Sequence, residues 1–76
     1  MREYIINEGY TDHDINIICD AGKRLMELYY IEPINAVQIA RRAFDLSIYY
    51  GSQRPSSSIM RHAVGIADRA GWTERE

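Results

Sequence analysis

Two histidines, one cysteine and an arginine-rich set of cations are the side chains from which this 76-residue sequence could build chemistry. His13 stands between Asp12 and Asp14. Neighbouring residues on a helix point in different directions, so these three do not converge on a metal ion. They fit better as capping and dipole-compensating groups at a helix start. His62 follows Arg61 and has no carboxylate or thiol at helical spacing, which makes it a solvent-facing or contact residue. Cys19 falls among apolar residues, where a cysteine acts as a small hydrophobe. No His/Asp arrangement argues for a nucleophile there. A single cysteine also rules out an intrachain disulfide. Neither a glycine-rich phosphate loop nor a zinc-type Cys/His spacing is present. The expectation is a protein that is not an enzyme and that uses neither a cofactor nor a metal.

Recognition chemistry is better represented. The basic residues are all arginine except Lys23. Arginine bonds carboxylate and phosphate in bidentate fashion and stacks on aromatic rings. Charge is uneven: residues 1–37 carry a net −4 and residues 38–76 a net +2, within an overall −2. Six tyrosines include the adjacent pairs Tyr29-Tyr30 and Tyr49-Tyr50. Two consecutive aromatics on a helix cannot both face the core, so at least one of each pair is expected near the surface, where tyrosine is enriched at interfaces.

These groups need elements to hold them, and the chain reads as three helices. Thr11 and Asp14 form a capping-box pair, with Tyr10 and Ile15 at the staple positions. The first helix is predicted over 12–30, ending before Pro33. Pro33 suits the first turn of a second helix over 33–50, closed by Gly51. The short link makes helices 1 and 2 an antiparallel hairpin. Residues 51–55 read as a loop, and Ser56 to Ser58 as caps for a third helix over 57–70. Gly71 ends it, with Trp72 folding back on Ala67. The fold class expected is all-α, a three-helix bundle of one domain over 1–76. Residues 1–10 form a short N-terminal arm and 73–76 a frayed tail. With no run of about 20 apolar residues and no leader-like start, the chain is expected to be cytoplasmic and not to span a membrane.

Setting residues 100° apart gives helix 1 an apolar arc of roughly 220° and helix 2 one of roughly 200°, where a surface helix needs little over 100°. Ala36, Ala40, Ala43 and Ser47 line up on helix 2, and Gly22 on helix 1 is expected to allow close packing. Three short helices cannot easily cover both arcs, and a leftover patch marks an interaction site. The first functional expectation is therefore a non-catalytic protein-binding module. It would be a small regulator or inhibitor docking on a larger protein, of the kind found in phages and mobile elements, and able to form a homodimer. Its interface candidates are Tyr29, Tyr30, Tyr49, Tyr50, Ile17 and Leu28. The alternative is a helix-turn-helix DNA-binding protein. In that reading helix 3 enters the major groove with Ser57, Ser58, Arg61, His62 and Arg69. Against it stand a long turn and the net negative charge, since DNA affinity rests on neutralising phosphates.

Overall fold

Thr11 starts the first helix as its residue type requires. Its hydroxyl accepts the Asp14 N–H at 3.1 Å, and the Asp14 carboxylate accepts the Thr11 N–H at 3.1 Å. This closed capping box begins α1, Asp12–Leu28. The preceding Tyr10 reaches across to the second helix. Its ring packs edge-to-face on Phe44 at 5.8 Å and its hydroxyl donates to Asp45 at 2.8 Å. The computed structural model describes residues 1–5, 9–51 and 55–76.

Two further helices follow. α2 is Pro33–Tyr49, with proline in its first turn and Glu32 extended before it, the geometry a residue preceding proline adopts. Gly51 closes it in the left-handed region at φ 80°, its N–H donating to the Ile48 carbonyl at 2.9 Å. α3 is Pro55–Ala70, so it starts two residues before the expected 57. Proline is pre-organised for a first helical position, and Ser56, Ser57 and Ser58 therefore lie inside the first turn. The end of α3 matches expectation. Gly71 adopts φ 85°, and the Trp72 N–H donates to the Ala67 carbonyl at 3.1 Å while that of Gly71 donates to Asp68 at 3.1 Å. These are the paired bonds of a Schellman cap. The protein is thus a small all-α three-helix bundle, and no strand occurs among the described residues.

Two boundaries differ from the sequence reading for one shared reason. α1 stops at Leu28 instead of Tyr30, because Tyr29 turns extended (φ −133°, ψ 156°). The extended backbone pairs with the C-terminal segment. The Tyr30 N–H donates to Thr73 O and the Arg75 N–H to Leu28 O, each at 2.8 Å. Arg75 Nε donates to the carbonyls of Met26 at 2.7 Å and Tyr29 at 3.0 Å. Its guanidinium lies 4.5 Å from the Tyr30 ring centre. The expected frayed tail is therefore corrected: Arg75 donates to carbonyls that the end of α1 leaves open, and the Thr73 carbonyl accepts from Tyr30.

α2 is the middle helix, packing along both α1 and α3, which meet each other over a shorter stretch. Its Ala36, Ala40, Ala43 and Ser47 are fully buried, as are Ala63 and Ala67 of α3. Small side chains let helix axes approach closely. Gly22 of α1 belongs to the same device: a Cβ there would lie 2.8 Å from Met1 Cε and 3.7 Å from the Ala36 backbone. The N-terminal arm forms a 3-10 turn, Arg2–Tyr4, that sends Met1 onto Gly22 and buries Ile5. Arg2 fastens it by donating to Asn16 at 2.7 Å and Asp12 at 3.2 Å. Ile6 of the same arm lies outside the described residues.

Tyr29 ties the two ends of the chain into this core. Its ring is buried and its hydroxyl donates to Asp68 at 2.7 Å. Burial, aided by the Asp68 and Glu74 carboxylates, pushes the Tyr29 phenol up to about 12 from its usual 10. The fold favours the neutral phenol, so this stabilisation is complete below pH 10 and lost as pH rises through 12. Tyr29→Phe should lower stability near neutrality by about 1.5 kcal/mol, the value of a hydrogen bond to a charged acceptor. In urea unfolding, the gap between the two proteins should close between pH 10 and 12. A gap independent of pH over that range would contradict the assignment.

Candidate functional site

The wet strip of α2 and the outer face of α3 meet along a groove. Arg42, Leu46 and Tyr50 recur every four residues and so share one side of α2. His62 and Ile66 do the same on α3. Together with Arg61 and Arg69 they line a hollow of about 650 Å³. Beyond Arg42 and Ile66, which belong to both, the groove continues into a second hollow of about 460 Å³ that takes in Gln38, Arg41, Asp45 and Trp72. Leu46 and Ile66 are half-buried. At one end the Tyr50 ring stacks on His62, with centres 5.8 Å apart and planes 7° from parallel. Tyr49 stands edge-on to Tyr50 at 5.2 Å.

The groove is cationic. Arg42, Arg61 and Arg69 are exposed and Arg41 is half-buried. Among the described residues, ion pairs join Arg2 to Asp12 and the N-terminal ammonium to Glu3, and none engages these four arginines. Asp45 is the acidic residue on the wall, and it accepts the Tyr10 hydroxyl. The Arg69 guanidinium lies back over Gly65, where a Cβ would be 3.5 Å from Nη1. Four of the six arginines of residues 38–76 therefore line one groove, while α1 exposes Asp12, Asp20 and Glu27 interspersed with Lys23 and Arg24.

The sequence-derived candidates separate in space. Tyr49 and Tyr50 are 79% and 70% exposed at the end of α2. Leu28 and Tyr30 are 46% and 55% exposed at the opposite end of the hairpin, near the exposed Ile34. Ile17 is half-buried and borders a small hollow with Ser56 and Ile59 of α3. Tyr29 is corrected: it is a core residue, 1% exposed, because the extended backbone at that position turns its ring inward. Of the nucleic-acid candidates, Arg61, His62 and Arg69 lie in the groove. Ser57 is exposed and Ser58 half-buried in the first turn of α3, outside the groove lining. Arg42, Leu46 and Ile66 were missed as site residues. The four-residue recurrence of Arg42, Leu46 and Tyr50 was the available signal, but the pairing of their row with α3 was not.

The expected surplus of apolar surface is smaller than the arcs imply. Met1 and Ile5 cover part of it, and among the described residues the large hydrophobics left exposed are Tyr4 in the arm, Leu28, Tyr30 and Ile34 at one hairpin end, and Ile48, Tyr49 and Tyr50 at the other. Ile48 on α2 is 52% exposed. No group of three or more His, Cys, Asp and Glu side chains able to hold a metal occurs among the described residues. No helix there is long and apolar enough to cross a membrane. Comparison with protein-family models, curated proteins and solved structures finds no match.

Exposure divides the tyrosines energetically. Tyr49→Ala and Tyr50→Ala should each change stability by no more than about 1 kcal/mol, the scale of a surface aromatic contact. Tyr29→Ala should lower it by about 3–5 kcal/mol, as for other large core truncations. Chemical denaturation of the three variants distinguishes surface from core.

Proposed function

We propose that this chain is a small non-catalytic protein-binding module, a regulator or inhibitor that docks on a larger protein through the α2–α3 groove and the aromatic end beside it. The observation that carries the reading is the meeting of four arginines, without ion-pair partners among the described residues, with the exposed Tyr49 and Tyr50. Tyrosine and arginine dominate the binding energy of protein interfaces, since each offers a large contact area with directed polar atoms. Asp45 and His62, acid–base groups of the described groove wall, line different hollows of it, which supports binding over catalysis.

DNA binding by α3 is the second reading. It is favoured by one feature: α3 buries Ile59, Ala63 and Ala67 and leaves Ser57, Arg61 and Arg69 exposed. Weighing against it, residues 50–54 between the helices exceed the turn of three or four residues typical of a helix-turn-helix, and the net charge is −2.

Capture from cell lysate on the immobilised chain and its variants tests the proposal. One protein should be retained by wild type and by Lys23→Ala, which alters the α1 face, and lost with Tyr49→Ala/Tyr50→Ala. Equal capture by all three, or none by any, contradicts the proposal. Duplex DNA binding that falls steeply with salt and is lost in Arg61→Ala would select the second reading.

A further inference from the structure

Resting on the docking reading, we infer that the occupant of the α2–α3 groove is an acidic amphipathic helix from the partner protein, about four turns long. The dimensions come from α2. Asn35 to Tyr50 bounds the groove, and at 1.5 Å per residue this is roughly 22 Å, the length of about 15 helical residues. The chemistry comes from the walls and floor. Arg42 stands on one wall and Arg61 and Arg69 on the other, without carboxylates of their own, above the half-buried Leu46 and Ile66. A helix laid between them places apolar residues at i, i+3, i+4 and i+7 on the floor, and the glutamates or aspartates that flank this stripe against the arginines. Guanidinium groups meet carboxylates through paired hydrogen bonds, so both walls can be satisfied at once.

Two other occupants fit less well. Nucleic acid offers phosphates but no apolar stripe for the Leu46–Ile66 floor, and it would meet a chain of net charge −2 with Asp45 on the wall. A second copy would bring α1, whose exposed Asp20 and Glu27 alternate with Lys23 and Arg24, and so would set cations against the groove arginines.

Trp72 lines the groove and is the one tryptophan of the sequence, so its emission reports occupancy. The probes are two synthetic peptides of about 15 residues, with leucine at helical stripe positions and either glutamate or lysine elsewhere, together with a single-stranded oligothymidine of about 15 nucleotides. The glutamate peptide should shift Trp72 emission saturably and bind at least tenfold tighter than the lysine peptide. The Arg42→Glu/Arg69→Glu variant, with its helical circular dichroism unchanged, should weaken that binding at least tenfold. Equal binding of the two peptides, no saturation, or tighter binding of the oligonucleotide overturns the inference. So does a Trp72 shift that follows the protein's own concentration without peptide, which would place a second copy in the groove. If tyrosine-dependent capture holds while the peptide fails, the docking reading stands and the acidic occupant falls. If capture fails as well, both fall.

Discussion

The spacing between α2 and its neighbours is the constraint on which the rest of this molecule depends. In so short a chain only about 60% of the unfolded surface can be buried, and bulky contacts alone give a marginal core. α2 answers this with a seam in which Ala36, Ala40, Ala43 and Ser47 are fully buried, and α3 adds Ala63 and Ala67. Close axes bring more backbone and side-chain stems into dispersion contact. The seam also carries a penalty: the Ser47 hydroxyl is buried without a hydrogen-bond partner, which disfavours the fold by about 1–3 kcal/mol. Larger residues, Leu25, Val37, Phe44 and Ile59, fill the space around the seam.

Close packing on the inner side fixes the outer side. Residues one or two positions from the seam on α2, Arg41, Arg42 and Leu46, are forced to the rim, where they face the matching row on α3. The groove is therefore a by-product of tight alanine packing, and its arginines are held apart by the helix spacing. Asp45 and Asp68 keep their charge but are oriented by the Tyr10 and Tyr29 hydroxyls, and neither forms an ion pair with these arginines among the described residues.

What the sequence disclosed was mostly local. Thr11 with Asp14, Pro33 before a helix, and the glycines at 51 and 71 each act within one turn of chain, so residue type and spacing suffice to read them. The Trp72 return to Ala67 is of the same kind. What stayed hidden depends on contacts between distant segments. The extended turn at Tyr29 is supported by Thr73 and Arg75, more than forty residues on. Helical periodicity carried on to Tyr30 had no means of registering that pairing. Met1 on Gly22 is another case: the glycine marked a close approach, but not which atom would make it. The groove was half legible. Arg61, His62 and Arg69 were read as one outward set on α3, whereas their juxtaposition with the Arg42 row of α2 is a tertiary fact.

Replacement of Ala40 by leucine tests the small-residue seam most directly. Ala40 is fully buried in the middle of α2, so added methylenes must push a neighbouring helix away or adopt strained rotamers. Equilibrium unfolding of Ala40→Leu should show a loss of about 1–3 kcal/mol, the usual penalty of overpacking a close-packed site. Unchanged or increased stability would mean that the space beside α2 is open, and that helix spacing does not shape the groove.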